Sequence, residues 1–157
     1  MPTTIRPIVP GDTPALLRLS GSLGFGPAEL EILQQTFDDY HDRNVDKHYQ
    51  ALACDDAGQL IAVAYFVPVE MTDRTWELVM IVVDNQRQGQ GIGSRLLVAA
   101  EGAIRAKNGR LLVIETSSSP DQDRARQFYT KHGYAEVARI PDAFADGEHK
   151  VIFSKRL

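Results

Sequence analysis

The sequence predicts an α/β (α+β) fold, a mixed sheet of about seven strands that are connected in part by helices. Four segments carry apolar residues at helical spacing, and seven short aliphatic segments are bounded by turn residues. The predicted order is β-α-α-β-β-β-α-β-α-β-β. The strand–helix–strand unit at residues 75–116 requires a right-handed crossover and one parallel strand pair, so the other pairs are expected to be antiparallel. A length of 157 residues favours a single domain, residues 1–157.

Two helices are predicted near the N-terminus, after a short first strand at residues 3–7. The first helix begins at Asp12, whose side chain can cap it, and Pro14 is tolerated in its first turn. This helix is expected to end near Gly21. The second helix fits residues 27–41, where four apolar side chains lie near one face: Leu30, Leu33, Phe37 and Tyr40.

Three consecutive strands are predicted next. Residues 49–54 and 59–67 flank the sequence Asp55-Asp56-Ala57-Gly58, which is typical of a hairpin turn. Residues 75–83, rich in Val, Ile and Met, form the third strand of this run.

The second half alternates helices and strands. A long helix follows residue 91 and ends at Asn108-Gly109. The apolar run at residues 111–114 suits a central strand that is buried on both faces. The remaining predicted elements are a helix, two strands and a polar loop between those strands, at residues 121–132, 134–140, 149–155 and 141–148.

Composition narrows the class of protein. Apolar residues make up 43% and charged residues 24%, which is ordinary for a globular domain. A net charge of −4 without a basic cluster argues against a nucleic-acid partner. The single cysteine, Cys54, cannot form an internal disulfide. The sequence shows neither a signal-peptide pattern nor a membrane-spanning apolar run, so a cytoplasmic location without membrane association is expected.

The most informative stretch is the glycine loop, Gln86 through Ser94, which joins the strand at residues 75–83 to the long helix. A helix N-terminus exposes N–H groups without acceptors and carries partial positive charge. Glycines at alternate positions let an anion approach such a backbone closely. The loop therefore indicates a pyrophosphate site. A flexible turn whose glycines help the helix to pack is the alternative.

Other phosphate-binding motifs fit this loop less well. A Walker A loop ends in Gly-Lys-Ser/Thr, and Ile92-Gly93-Ser94 has no lysine. The dinucleotide fingerprint is Gly-x-Gly-x-x-Gly, whereas the spacing here is Gly-x-Gly-x-Gly. A second glycine-rich segment at residues 21–26 follows a helix, so we expect a helix stop and loop there, with the lining of a substrate site as the alternative.

Three segments follow one another along the chain: Ile5 through Asp12, Gln88 through Gly93, and Phe128 through Tyr134. Together they resemble three landmarks of the GNAT superfamily, the Gcn5-related N-acetyltransferases. Gln88-x-x-Gly91-x-Gly93 resembles the Gln/Arg-x-x-Gly-x-Gly/Ala motif of that family. Ile5-Arg6-Pro7 through Asp12 is similar to its first strand and helix start. Phe128-Tyr129-x-Lys131-x-Gly133-Tyr134 is similar to its Phe-Tyr-x-Lys-x-Gly-Phe signature, with Tyr134 in place of Phe. The resemblance covers nearly the whole chain.

The resemblance implies a strongly twisted sheet with helices on both faces and two central parallel strands that splay apart. It implies acetyl-coenzyme A (acetyl-CoA) as cosubstrate and an amine as acceptor. The pantetheine arm would pair with the backbone of Ile81, Val82 and Val83, because a splayed strand leaves N–H and C=O groups unpaired. Backbone N–H groups would hold the pyrophosphate, those of Gln88, Gly89, Gln90, Gly91, Ile92, Gly93 and Ser94.

Tyr129 is the candidate general acid. Acetyl transfer to an amine requires removal of a proton from the acceptor, and the departing thiolate benefits from a nearby acid. Tyr129 matches the tyrosine of the family signature, and a phenol with a pKa of about 10 can protonate a thiolate. The alternative is a tyrosine that only packs beside Phe128.

Glu77 is the candidate general base, since it matches a catalytic glutamate of the histone-acetylating branch. Its neighbours Trp76 and Leu78 are apolar, and burial among them would raise its pKa. An exposed strand glutamate, with an ordered water chain as the base, is the alternative. By resemblance alone, the backbone N–H of Val83 would donate to the developing oxyanion.

The remaining polar residues carry weaker expectations. The four histidines lack metal-ligand spacing, so no metal site is predicted: His41, His48, His132 and His149. His132 is expected to be a solvated residue at a helix end. Asp142, Asp146 and Glu148 in the polar loop form either a solvated surface or an attractant for a cationic acceptor.

The leading hypothesis is an acyltransferase that moves the acetyl group of acetyl-CoA directly to a primary amine of a small molecule or protein. One alternative is a catalytically silent sensor of the same fold that binds acyl-CoA. Another is an unrelated α/β nucleotide-binding domain. The sequence leaves open the identity of the amine and the oligomeric state, for which a homodimer is one alternative.

Overall fold

The structure, a computed structural model, describes residues 3–44 and 47–157. Its strands are β1 (Thr4–Pro7), β2 (Gln50–Asp56), β3 (Gln59–Pro68), β4 (Thr75–Val83), β5 (Leu111–Ser117), β6 (Ala135–Ala145) and β7 (Glu148–Arg156). Its helices are α1 (Thr13–Ser22), α2 (Pro27–Arg43), α3 (Ile92–Ala106) and α4 (Asp123–Lys131). The predicted order of elements is therefore confirmed. Within the described residues, no helix combines the length and apolar character needed to span a bilayer.

The seven strands form one mixed sheet in the order β1-β2-β3-β4-β5-β7-β6. Within the described parts of the chain, β4 and β5 are the one parallel pair, and every other pair of neighbours is antiparallel. The parallel pair results from α3, which carries the chain from the end of β4 back to the start of β5. The predicted fold class, a mixed α/β sheet, is confirmed.

Helices cover both faces of this sheet. Successive side chains of β3 point to opposite faces, so the two faces bury separate apolar clusters. Ala64 lies in the cluster beneath α3, together with Leu97. Tyr65 lies in the other cluster, where it packs with Leu16 of α1 and Phe37 of α2. Because each face has its own helices, the sheet is buried between two layers of apolar side chains.

The two central strands, β4 and β5, separate midway along their length. They pair up to Leu78 and Ile114, while β4 continues to Val83 alongside β3. The register between β3 and β4 shifts at the same point and leaves Val79 as an extra, bulged residue. A bulge bends its strand, so this one turns β4 away from β5. We call residues 79–83 of β4 the open edge.

The predicted bounds of α4 and β6 differ from those in the structure. Helix α4 begins at Asp123 because Pro120–Gln122 form a separate 3-10 turn. The polar loop expected at residues 141–148 is wrong for most of its length, because β6 extends to Ala145. The pairing of β6 with β7 is interrupted between Ile140 and Ala145, and Pro141 with its polar neighbours in that interruption accounts for the loop-like sequence.

Candidate active site

A cleft of about 560 Å³ lies between the open edge, the glycine loop and α4. Nine residues predicted for the site line it: Ile81, Val83, Gln88, Gly89, Gly91, Ile92, Gly93, Ser94 and Tyr129. Segments separated by more than forty residues in sequence therefore meet in one cavity. The predicted residues Glu77, Val82 and Gln90 are not part of its lining.

The glycine loop forms the N-terminus of α3. Gly91 is the capping residue and has a left-handed backbone with φ of 79°, a conformation that favours glycine. The first bond of the helix runs from the Arg95 N–H to the Gly91 carbonyl at 3.0 Å. The N–H groups of Ile92, Gly93 and Ser94 therefore have no acceptor within the helix. The first turn holds no acidic side chain, so nothing there competes with an anion for these donors.

Cationic side chains lie around the same N–H groups. Arg124 donates to the Gln88 side-chain oxygen at 2.9 Å, and Lys131 also lines the cleft. Within the described parts of the chain, neither has a carboxylate partner within 4.0 Å. Arg87 differs, because Asp56 pairs with it at 2.6 Å. Asp121 also lines the cleft, so the two cations without a carboxylate partner exceed the one carboxylate there and add positive charge where the helix N-terminus already favours anions.

Sequence patterns alone do not connect these cations to the site. Arg124 lies one helix and one strand away from the glycine loop, and no local pattern connects the two segments. Lys131 stands in the quoted signature, although we gave it no role. The one usable signal was the position of both residues on the helix that also carries Tyr129.

The open edge presents backbone groups to the cleft. The Asp84 N–H donates to the Ile61 carbonyl of β3 at 2.8 Å. Because N–H and C=O groups alternate sides along a strand, those of Val83 and Ile81 point away from β3. They face the gap that β5 leaves, and Gln88 Nε2 already donates to the Val83 carbonyl at 3.1 Å. The open edge thus offers the amide groups that a linear diamide would need.

Val82 has a different orientation from its two neighbours. By the same alternation, its N–H and C=O point towards β3, where it lies opposite Val63. Its side chain packs in the cluster under α1 and α2. Gln90 lies outside the cleft lining, and its side chain donates to the Gln86 carbonyl at 3.4 Å; the role expected for its backbone N–H stays a prediction. Val82 therefore turns its backbone groups away from the cleft.

Tyr129 brings a phenol to the inner end of the cleft. It is 7% exposed, and its ring packs against Phe128 and Phe153 at centroid distances of 5.6 and 5.8 Å. Burial among these aromatic rings raises the pKa of Tyr129 to about 12, because the phenolate would lose its hydration. The hydroxyl is therefore neutral across the physiological range and can donate a proton.

Glu77 lies on the opposite face of the sheet. Its neighbours Trp76 and Leu78 point into the α3 cluster, and Glu77 itself lies opposite Val67, which packs on the α1–α2 side. Burial raises the pKa of Glu77, the nearby carboxylate of Glu115 raises it further, and Lys150 lowers it. Glu77 therefore stands one residue from the last β4–β5 pair, on the side of the gap that faces away from Tyr129.

The histidines do not converge. Within residues 3–44 and 47–157, no group of three or more His, Cys, Asp or Glu side chains is placed to hold a metal ion. His132 lies just after α4, as expected for a helix end, yet it is half-buried. Its Nε2 lies 2.9 Å from Ser94 Oγ in the glycine loop. It therefore contacts the site instead of being only a solvated cap.

The family model described as "Acetyltransferase (GNAT) domain" matches residues 47–136 of this chain. That segment includes the open edge, the glycine loop and α4. No curated protein sequence matches the chain.

Solved structures give the same indication over the whole chain. A protein of Desulfovibrio desulfuricans assigned to the GNAT family of acetyltransferases is 26% identical, with a TM-score of 0.93 and 99% of each chain covered. The ribosomal-protein-S18-alanine N-acetyltransferase of Escherichia coli is 20% identical, with a TM-score of 0.80 and coverage of 99% and 94%. An aminoglycoside 6'-N-acetyltransferase complexed with coenzyme A is 19% identical, with a TM-score of 0.79 and coverage of 98% and 96%. The last two share the fold with this chain and act on different acceptors.

Proposed function

We propose, because the chain belongs to the GNAT family of acetyltransferases, that it transfers the acetyl group of acetyl-CoA to a primary amine. One observation carries the proposal. Three N–H groups that have no acceptor within α3, the outward-facing amide groups of the open edge and the Tyr129 phenol all lie at the same cleft. An anion, a diamide and a leaving group are the three chemical parts that such a cleft would hold together.

The cleft fits the parts of acetyl-CoA. The N–H groups of Ile92, Gly93 and Ser94 would bind the pyrophosphate, and Arg124 and Lys131 would offset its charge. The open edge at Ile81 and Val83 would pair with the pantetheine amides. Acetyl-CoA would supply an activated thioester. The volume of this cleft, about 560 Å³, is in the range of cofactor sites.

Two groups of the chain would move protons. Tyr129 would protonate the departing sulfur, since its hydroxyl is neutral and lines the cleft. Glu77 would accept the proton of the acceptor amine, since its raised pKa brings it closer to that of a useful base. Because Tyr129 and Glu77 lie on opposite faces of the sheet, the cosubstrate and the acceptor would enter from opposite sides and meet in the gap between β4 and β5.

The acceptor is proposed to be a primary amine of a small molecule or of a protein. Two carboxylates support an amine acceptor, since their negative charge would attract a protonated amine. Glu77 and Glu115 lie close to each other on the face away from the cleft. Lys150 compensates part of this charge, since its Nζ lies 3.1 Å from Glu115 Oε2. The related acceptors, a ribosomal protein and an aminoglycoside, belong to proteins that share only the fold with this chain.

The test is release of free thiol from acetyl-CoA over a panel of amines, together with calorimetry of coenzyme A and ATP. We expect coenzyme A to bind and at least one amine to accelerate thiol release. Tight binding of ATP without binding of coenzyme A would contradict the proposal. Firm binding of coenzyme A without turnover on any amine would instead favour an acyl-CoA sensor.

A further inference from the structure

Helix α4 presents one stripe of side chains to the glycine loop. Arg124, Phe128 and His132 follow one another at intervals of four, which places them on the same side of the helix. Arg124 bonds Gln88 at 2.9 Å. Phe128 lies where a Cβ on Gly93 would be 3.6 Å from its ring. These side chains therefore lie along the glycine loop, and His132 stands at the end of the stripe.

His132 makes a specific polar contact at that end. Its Nε2 lies 2.9 Å from Ser94 Oγ, and its ring packs on Phe128 with centroids 4.6 Å apart. Ser94 is the third residue of α3, so its N–H is one of the donors without an acceptor in the helix. The imidazole is thus held against the hydroxyl of a residue whose backbone already faces an anion site.

The direction of this hydrogen bond determines what Ser94 can offer. A hydroxyl carries one proton, and an imidazole nitrogen either donates or accepts. When His132 Nε2 has no proton, the Ser94 hydroxyl must donate to it. When Nε2 carries a proton, it donates to Ser94 Oγ, and the hydroxyl proton is free to bond a phosphate oxygen.

We propose that His132 is a positioning residue for the diphosphate, which donates to Ser94 Oγ and thereby turns the Ser94 hydroxyl towards the bound anion. The inference rests on the proposed function, since it assumes that a diphosphate ester occupies the cleft. Histidine changes charge between pH 5 and 8. The protonated ring both fixes the donor direction and adds a positive charge, so anion binding and His132 protonation should favour each other.

The other charged groups around His132 and its cleft are cations, a paired lysine and one carboxylate, Asp121, which lines the cleft just before α4 begins. Lys131 precedes it on the helix, and Arg124 lies two turns earlier on the same stripe. On β7, Lys155 lies near Gly133 and pairs with Glu101 of α3 at 2.8 Å. Lysine and arginine keep their charge between about pH 5.5 and 8.5. They therefore contribute constant positive charge to the anion site and no pH dependence.

The test is calorimetric binding of coenzyme A, and of inorganic pyrophosphate, at several pH values between about 5.5 and 8.5. Pyrophosphate and the phosphomonoester of coenzyme A also gain protons in this range, so wild type and variants are compared at each pH. We expect wild type to bind about fivefold more tightly than His132→Ala at the acidic end, the equivalent of roughly one net hydrogen bond, and this ratio should fall as pH rises. His132→Gln, whose amide N–H can still donate to Ser94 but does not titrate, should recover part of the affinity, and its ratio to His132→Ala should not change with pH.

A double-mutant cycle separates the positioning role of His132 from a packing effect. Because Ser94 and His132 act through one hydrogen bond, His132→Ala should add little in a Ser94→Ala background. Additive losses, or a pH profile that His132→Ala leaves intact, would overturn the inference while coenzyme A binding still supports the proposed function. If wild-type protein bound neither coenzyme A nor pyrophosphate, both the proposed function and the positioning role of His132 would be wrong.

Discussion

The two candidate catalytic residues differ in what surrounds them. Tyr129 is enclosed by aromatic rings, and burial alone accounts for its raised pKa. Glu77 is only half-buried, and its pKa responds to one carboxylate and one ammonium as well as to burial. The pKa of Tyr129 thus depends on burial alone, whereas the pKa of Glu77 also depends on charged neighbours that can be replaced. The two residues therefore require different tests.

Tyr129→Phe should lower turnover by about 10²-fold or more, the lower end of what a general acid contributes. The ring remains packed, so the affinity for coenzyme A should stay nearly unchanged. Steady-state kinetics and calorimetry measure the two quantities. Tyr134→Phe is the matched control, because that phenol bonds Glu101 at 2.7 Å and does not line the cleft. Equal turnover of Tyr129→Phe and wild type would remove Tyr129 from the reaction.

The pH profile of kcat/KM should depend on Glu77. A carboxyl group must be ionised to accept a proton, so activity should rise with pH as Glu77 ionises, and the raised pKa of Glu77 places this rise above the usual range of a glutamate. Glu77→Gln should abolish this acid limb and lower kcat/KM by about 10²-fold to 10⁴-fold.

Lys150→Met provides a directional test of the same group. Lys150 lowers the pKa of Glu77 and also pairs with Glu115, whose charge raises that pKa. Removal of Lys150 should therefore move the acid limb to higher pH, measured from the same rate profiles. A limb that moved to lower pH, or one that Glu77→Gln left in place, would show that another group is the base.

At the scale of elements, two irregularities position the site. The bulge at Val79 ends the pairing of β4 with β5 and creates the open edge. The left-handed Gly91 lets the chain leave the glycine loop and enter α3 within one residue. Both features cost some regular hydrogen bonding or backbone freedom, and each exposes N–H groups to the cleft.

Two Gly→Ala substitutions associated with α3 should have opposite effects on stability. Gly91 has φ of 79°, so alanine there should cost about 1 kcal/mol although a Cβ would meet nothing within 4 Å. Gly102 is exposed within the helix, where a Cβ also meets nothing within 4 Å. Alanine there should stabilise by about 0.5–1 kcal/mol. Chemical denaturation measures both, and changes of the same sign would contradict the backbone argument.

At the scale of the whole molecule, one sheet connects two apolar clusters. The parallel pair β4–β5 lies in the middle of the strand order, so the N-terminal antiparallel strands and the C-terminal hairpin meet at the site itself. The cluster beneath α3 includes residues from β3, β4, β5 and β7. This continuity supports the prediction of a single domain, residues 1–157.

A single domain should unfold in one cooperative transition. Trp76 is the one tryptophan of the chain and is 4% exposed in the cluster beneath α3. Its fluorescence should therefore change together with the far-ultraviolet circular dichroism of the whole sheet and helices. Urea titrations followed by both signals should give the same midpoint. Two separated midpoints would show that the halves on either side of β4–β5 unfold independently.

Local sequence patterns determined most of the fold. Strand β4 has the predicted bounds, and the glycine loop lies at a strand-to-helix junction as expected, because periodicity and turn residues act over a few neighbours. Patterning did not locate the end of β6, where Pro141 suggested a loop. The strand continues past this interruption because Ala145 pairs with Glu148 of β7, a contact that local preference does not reveal.

The sequence by itself therefore determined the elements, the family resemblance and the residues of the glycine loop with Tyr129. Tertiary structure alone decided that Arg124, Lys131 and His132 face that loop, because they reach it from another helix. It also decided that Val82 turns to β3 and Glu77 to the opposite face of the sheet. Those outcomes depend on strand register and helix docking, which are set by contacts between segments distant in the chain.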